Sequence, residues 1–351
     1  MSSSSSFRAL VVASRGQTAL KSFPLPTVGK GQILVQNKAI ALNPTDWKHR
    51  DFIAPSNSWL GCDFAGVVSQ VGEGVTSVSE GDRVAAFVHG GLWEGEGSFA
   101  EYVKADASLV WKVPETVSFE EAAAAGGIGP WTAIQALYFR LKLNPPSNPT
   151  TKGEPVLVWG GSTSVGLYAV QLLKLSGYTV IATASEKNFD LVKDFGAEAV
   201  YSYSDPDVSS KIAADHPTLS LALDTISEKG TTVSIAKALS SAAGKGHVVT
   251  LLPVKDDGLK EFAEVKVEPT LVYTVLGKAF SMGPTEYPVS EEDKKQMEEW
   301  LAGPLPQLFG TGQLRSNPLL KREGGLEGIE EGLEFLKAGK NSAQKLVYSL
   351  T

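Results

Sequence analysis

The stretch 155–176 constrains the fold of this chain more than any other. It opens on an apolar run, Pro155-Val156-Leu157-Val158-Trp159, continues through a turn of small residues, Gly160-Gly161-Ser162-Thr163-Ser164-Val165-Gly166, and passes into a helical pattern over 167–176. A short apolar run bounded by glycine fits a strand buried on both faces, and a helix starting at once after it must fold back across that strand's sheet. The alternation continues downstream. The patterning predicts strands at 179–183, 199–201, 219–224 and 247–252, with helices at 188–195 and 231–240 between them. Strands alternating with helices imply a parallel sheet with crossover helices, the doubly wound α/β arrangement of nucleotide-binding domains.

The flanking regions read differently. Residues 7–115 break into short apolar strands punctuated by Gly, Pro and Asp, such as 33–41, 66–71, 83–88 and 108–112. Helical patterns follow at 120–125 and 131–141, and a polar loop at 144–153 leads into the alternating block. Beyond that block lie an acidic helix at 290–302, another helix at 325–337 and a closing strand at 345–350, which is expected to return to the first domain. No internal repeat is visible. A length of 351 residues suits two domains. We place a β-rich substrate or catalytic domain at 1–128 and 283–351, and the doubly wound domain at 129–282. The opening serine run, 1–6, reads as a disordered tail without the pattern of a signal peptide.

Composition removes several functions. Apolar residues make up 42% and charged residues 20%, and no run approaches the roughly 20 apolar residues of a membrane span. The net charge of −7 has no basic block for a phosphate backbone, so nucleic acid is not an expected partner. Cys62 is the only cysteine, which excludes an intramolecular disulfide and a structural zinc site of several thiolates. A reducing, cytoplasmic setting is expected.

A helix start directly after a small-residue turn can hold a pyrophosphate on its backbone amides. The turn is not a strict G-x-G-x-x-G, because Thr163 and Ser164 stand where glycines are common; their hydroxyls could donate to phosphate instead. An ordinary strand–turn–helix connection capped by Ser or Thr is the competing reading. The surrounding alternation favours a nicotinamide dinucleotide. Roughly 20–25 residues downstream, where an acid would bind ribose hydroxyls, the chain reads Thr183-Ala184-Ser185-Glu186-Lys187-Asn188. Ser185 and Lys187 supply the donors and positive charge that a 2′-phosphate needs, while Glu186 argues the other way. Ser185 as a helix cap with Lys187 in solvent is the alternative. NADPH is the cofactor expected.

Further motifs occur in order: Asn43-Pro44-Thr45-Asp46, Gly61-x-Asp63-x-Ala65-Gly66-Val67-Val68, Gly81-Asp82-Arg83-Val84 and Gly97-Ser98-Phe99-Ala100-Glu101-Tyr102. Through them the chain resembles the medium-chain dehydrogenase/reductases over nearly its whole length. It is similar in particular to the zinc-free branch of quinone oxidoreductases and fungal trans-acting enoyl reductases, through 43–48, the Gly-Gly-Ser-Thr turn, 185–188, Tyr203 and 342–348. The resemblance implies a GroES-like β-rich domain beside a Rossmann-type domain, a carrier-bound enoyl substrate, a polyketide synthase as partner, and a monomer or homodimer. By similarity, Ser162, Thr163, Ser164, Val165 and Gly166 contact the pyrophosphate, and Ser185, Lys187, Asn188 and Tyr203 the 2′-phosphate. Leu252 and Pro253 lie on the nicotinamide side, Lys345 reaches the cofactor, and Pro44, Thr45 and Trp47 count as cofactor contacts on a short helix placed in the cleft. Read alone, Tyr203 would be a partly buried loop aromatic.

Zinc-dependent relatives carry a Cys, a Gly-His-Glu motif and a second Cys or acid. Here the corresponding places hold Asn43, then Gly61-Cys62-Asp63, then a glycine-rich segment at 126–130, and none of His49, His89, His216 or His247 falls in ligand spacing. No metal is expected, and Cys62 reads as a small buried residue. Conjugate reduction of an activated double bond does not require one: hydride adds to the β carbon, and donors hold the charge that builds on the carbonyl oxygen. The candidates are Lys48 and Thr132, with Asn43 and Asp46 beside them. Asn43, Pro44 and Asp46 also form a helix start, so Asp46 is read equally as a cap. Gly127, Ile128 and Trp131 are taken for the substrate side of a turn that is otherwise a packed interdomain connection. Leu276, Phe280 and Met282, with Trp47, are guesses for an apolar acyl tunnel. The leading reading is NADPH-dependent reduction of an enoyl thioester; a quinone oxidoreductase or alkenal reductase comes second, and a non-catalytic NADPH-binding protein third.

Overall fold

The computed structural model describes residues 6–93 and 95–350, so residues 1–5 of the tail expected at 1–6 lie outside the described residues, while Ser6 already belongs to the first strand, where it pairs with Pro24. The chain opens on a hairpin, β1 (Ser6–Ser14) and β2 (Gln17–Pro24). Then come β3 (Gln32–Ala41), the short helix α1 (Pro44–Lys48), β4 (Asp63–Val71), β5 (Arg83–Phe87), β6 (Tyr102–Asp106), β7 (Trp111–Lys112) and α2 (Phe119–Ala125). The helix α3 (Ile128–Ile134) leads into β8 (Pro155–Trp159), α4 (Ser164–Leu175), β9 (Thr179–Ala184), α5 (Phe189–Asp194), β10 (Ala199–Ser202) and α6 (Val208–Asp215). β11 (Leu221–Asp224), α7 (Thr231–Ala243), β12 (Gly246–Thr250) and β13 (Val265–Pro269) complete this block. The tail holds β14 (Phe280–Met282), β15 (Thr285–Tyr287), α8 (Glu291–Ala302), α9 (Pro304–Gly310), β16 (Leu319–Arg322), α10 (Ile329–Lys337) and β17 (Lys345–Ser349).

The chain divides into two compact units, one running to Ile128 and resuming at Tyr273, the other Gly129–Val272. The return therefore comes earlier than the boundary at 283 read from the sequence. The physical reason lies in Tyr273, whose hydroxyl bonds Thr45 and whose ring stacks on His89, both in the first unit.

In the first unit the sheet runs β16-β17-β3-β4-β5-β7, with β6 also paired to β3. β3 carries two apolar runs, Ile33–Val35 and Ala39–Ala41, on either side of Gln36-Asn37-Lys38, and both runs are buried because the strand sits in mid-sheet. The closing strand β17 pairs antiparallel with β3, as the sequence leads one to expect. The amphipathic helix α10 buries Ile329, Leu333 and Leu336 against Leu42, Leu346 and Tyr348. Gly332 permits this, since a Cβ there would collide with the Tyr348 hydroxyl.

The second unit is an all-parallel sheet in the order β10-β9-β8-β11-β12-β13. The order reverses between β8 and β11, the position at which open α/β sheets bind ligands outside their strand carboxyl ends. Three local readings change. The strand expected at 108–112 is a 3₁₀ turn, Ala107–Leu109, followed by the two residues of β7. The helix expected at 131–141 widens into a π-helical stretch at Gln135–Arg140 after α3. Edge strand β13 and helix α6 were not anticipated; both are short, five and eight residues. No helix among the described residues is long and apolar enough to cross a membrane.

Candidate active site

At the carboxyl end of β8 the turn closes because its glycines let backbone meet backbone. Gly160 takes φ +81°, in the left-handed region, and a Cβ on Gly166 would collide with the Gly160 carbonyl. Three threonines hold the turn. The Gly160 amide donates to Thr183 Oγ1 at 3.0 Å, and Thr225 Oγ1 donates to the Trp159 carbonyl at 2.8 Å and lies 3.1 Å from that of Gly160. Thr163 caps α4: its hydroxyl accepts from the Gly166 amide at 3.0 Å and donates to Thr225 Oγ1 at 2.9 Å. That proton is engaged inside the turn, the capping arrangement that competes with a phosphate contact at Thr163. Ser162, Ser164 and Val165 stand half-buried around the start of α4, a 12-residue helix whose dipole favours an anion.

Next along the sheet edge, Ser185 follows β9 and its hydroxyl accepts from Asn188 Nδ2 at 3.0 Å. Lys187 is exposed. Tyr203 follows β10, and Ser202 is in register with Ala184, so Tyr203 and Ser185 lie at neighbouring strand ends. Tyr203 is 53% exposed, more than its reading as a partly buried loop aromatic allows. Leu252 is half-buried and Pro253 exposed just beyond β12. The turn, Ser185, Tyr203 and Leu252-Pro253 thus all follow strand carboxyl ends of the one parallel sheet, where the glycines and helix start fit a dinucleotide. Thr183 was read only as part of the segment before Ser185 and Thr225 went unnoticed, because a threonine near a strand end carries no distinguishing mark in the sequence.

In the first unit α1 passes directly into a π-helical turn, His49–Ile53, and a buried polar network fixes its start. Asn43, its N-cap, is 2% exposed. Its Nδ2 donates to Asp63 Oδ2 at 2.9 Å, its side-chain carbonyl accepts from Lys345 Nζ, and Lys345 also bonds Asp63 Oδ2 at 2.9 Å. Asp63 Oδ1 accepts from the Ile128 amide at 2.9 Å. A Cβ on Gly127 would collide with that same carboxylate, so Gly127 keeps space for Asp63. The Lys345 ammonium, 3% exposed, is thereby held inside the first unit.

Asp46 Oδ2 accepts from the Asn43 amide at 2.6 Å, the cap expected of it. Burial raises its carboxyl to about 7; the Asn43 bond pulls it down and the Asp63 charge pushes it up. Its Oδ1 has no hydrogen-bond partner among the described residues. Lys48 is half-buried, its ammonium 5.7 Å from the Trp47 ring centre, and Trp47 packs edge-on to the exposed Phe52. Pro44 is exposed and Thr45 half-buried.

Thr45 Oγ1 lies 2.7 Å from Tyr273 Oη and 3.1 Å from His49 Nδ1. His49 Nδ1 also lies 2.8 Å from the Thr45 carbonyl, which can only accept, so this nitrogen carries the proton. His49 Nε2 then faces His89 Nε2 at 3.1 Å, and burial holds both imidazoles below their ordinary range. Cys62 is buried, with Sγ 3.8 Å from Tyr273 Oη, and burial pushes its thiol up. Tyr273, His49 and His89 were not singled out as functional, and Asp63 was weighed only beside Cys62.

The remaining candidates disperse. Thr132 and Trp131 are buried on α3 in the second unit. Ile128 is half-buried and serves Asp63 through its amide. Phe280 is 6% exposed and stacks on Tyr287, while half-buried Met282 belongs to the short strand β14. Leu276 lines a cavity of about 20 Å³ with Phe87 and Lys278. That volume is on the scale of one water molecule. Among the described residues no three His, Cys, Asp or Glu side chains are arranged to hold a metal ion.

Comparison with known proteins adds the relationships. A family model described as the alcohol dehydrogenase GroES-like domain matches residues 29–115, and one described as zinc-binding dehydrogenase matches 164–287. A trans-enoyl reductase of Alternaria alternata is 39% identical over 350 residues, covering 98% of this chain and 98% of its own. Another, from Aspergillus sclerotiorum, is 37% identical and covers 97% and 99%. Among solved structures, a quinone oxidoreductase of Pseudomonas syringae superposes with a TM-score of 0.76 at 23% identity, over 98% of this chain and 100% of its own. A mycobacterial protein solved in complex with NADPH gives 0.74 at 23%, over 98% and 100%.

Proposed function

The chain belongs to the medium-chain dehydrogenase/reductase family, alongside the fungal trans-enoyl reductases, and from that premise we propose that it reduces the carbon–carbon double bond of an enoyl thioester with NADPH. The near full-length likeness to trans-enoyl reductases, at 39% identity, carries this reading. The quinone oxidoreductases among the solved structures fall below 25% identity and support the fold alone. We extend the proposal to a carrier-bound substrate, a polyketide synthase as partner and a cytoplasmic location.

Each unit is assigned a part of this reaction. Ser162, Ser164 and Val165 at the start of α4 would receive the pyrophosphate, with Ser185, Lys187, Asn188 and Tyr203 around the 2′-phosphate and Leu252-Pro253 toward the nicotinamide. When bound, the cofactor supplies a hydride to the β carbon of the conjugated double bond. Lys48 then donates to the carbonyl oxygen, where negative charge collects, and stands ready as proton source for the α carbon. A charge-assisted bond of this kind contributes about 1.5–3 kcal/mol even before the reaction concentrates charge on the acceptor. Thr132 is proposed as a second donor. Asn43 and Asp46 hold the turn on which Lys48 stands.

The test is a rate comparison on the purified protein with NADPH, using a crotonyl thioester and a quinone. The thioester is expected to be reduced at least about 10-fold faster, a transition-state difference near 1.4 kcal/mol. The opposite order would replace this reading with a quinone reductase, and tight NADPH binding without turnover on either would favour a non-catalytic role.

A further inference from the structure

α1 and the π-helical turn His49–Ile53 that continues it make a helical segment of only two short stretches, and isolated helices below about 12–15 residues are marginal in water. The direction of Lys48 is therefore set by whatever grips α1 from outside. Two grips converge on its first turn. Tyr273 seizes Thr45 through a 2.7 Å bond, and its ring is fixed in turn by stacking on His89 at 3.7 Å and 9°. Asp63 seizes Asn43, with Lys345 bridging the two. His49, the residue after Lys48, is pinned to the Thr45 carbonyl and faces His89, so the helix is held at both ends. The grips also mark where the chain leaves and re-enters the first unit. Ile128, the last residue before the exit, is bonded to Asp63, and Tyr273 is the first residue on return.

We propose that Tyr273 and Asp63 are positioning residues for Lys48, orienting α1 so that the ammonium meets the substrate carbonyl. The inference rests on the role given to Lys48 above. It assigns no contact with substrate to either residue; each acts through the turn.

Double-mutant cycles on the full chain test this, reading kcat and KM with NADPH and a crotonyl thioester, NADPH affinity by fluorescence, and thermal unfolding. Tyr273→Phe keeps the ring stacking and removes only the hydroxyl. It is expected to lower kcat about 10-fold, the scale of a small misplacement, with NADPH affinity changed less than about 2-fold. In the Lys48→Ala background the same substitution should change kcat by less than about 2-fold, because residues acting as one unit are not additive. Asp63→Asn combined with Lys345→Met removes both buried charges together, so that neither is left unpaired, and should show the same dependence on Lys48. Equal losses with and without Lys48, or no loss in either, would overturn the positioning claim while leaving Lys48 its role. Unchanged turnover in Lys48→Ala alone would remove that role, and the positioning claim with it.

Discussion

Around the glycine turn after β8, backbone sets the geometry: glycines allow close approach and threonine hydroxyls tie neighbouring strand ends together. Around α1 the backbone sets almost nothing, and side chains from Asn43, Asp63, Tyr273 and Lys345 do it instead. The contrast separates two tasks. Holding a dinucleotide requires amides and a helix start, which one short segment can supply. Aiming a single ammonium requires over-determination from several directions, and only a buried network provides that. The first part should therefore fail by losing its ligand, and the second by losing stability or turnover.

Asp63→Ala breaks the second part most severely. It leaves the Lys345 ammonium buried against a lone amide carbonyl and takes the acceptor from the Ile128 amide. A loss of about 3–5 kcal/mol in urea unfolding is expected, as for other buried pairs cut on one side. A loss below about 1 kcal/mol would mean that side chains do not hold α1. Gly166→Val breaks the first part, because its Cβ meets backbone that cannot rotate away. NADPH affinity should fall on the order of 100-fold, a cost of nearly 3 kcal/mol, in a fluorescence titration. Retained affinity would place the pyrophosphate elsewhere.

The two parts were unequally legible in the sequence. Strand β8 and the turn after it lie within one window, so apolar run, small residues and helix could be read directly, and Ser185 and Lys187 followed from their distance along the chain. The network around α1 joins residues separated by 228 positions for Thr45–Tyr273, 302 for Asn43–Lys345 and 282 for Asp63–Lys345, beyond any periodicity. The local motif at 43–48 showed a helix start and a lysine. It could not show that Asn43 turns its side chain to a distant ammonium, nor that Tyr273 returns to Thr45. Thr163 illustrates the opposite case, since its cap role was visible as an alternative and is the one the hydroxyl adopts.

Smaller effects sharpen the contrast. Lys187→Glu should raise the KM for NADPH about 10-fold while that for NADH changes little, because an exposed charge facing a phosphate acts by simple electrostatics. Equal change for both cofactors would remove Lys187 from the 2′-phosphate. Asp46→Asn probes the buried network by pH. Between about pH 4 and about 7 the folded chain keeps a proton on Asp46 that the unfolded chain has released, so this group stabilises the fold on the acid side and that contribution is lost as pH rises to about 7. His49 and His89 act oppositely: burial keeps them neutral, and their contribution is lost as pH falls below about 6.5. Comparing the native chain with Asp46→Asn isolates the carboxyl. The stability advantage of the native chain should shrink from about pH 4 to about pH 7, and a flat difference would contradict a buried, proton-holding Asp46.

The central claim, hydride transfer to an enoyl thioester, is tested most directly by an isotope. NADPH deuterated on its transferable position should deliver deuterium to the β carbon of crotonyl thioester, with solvent supplying hydrogen to the α carbon, as read by mass spectrometry and NMR of the butyryl product. Unlabelled product, deuterium on the α carbon, or an untouched thioester in protein that binds NADPH would contradict it.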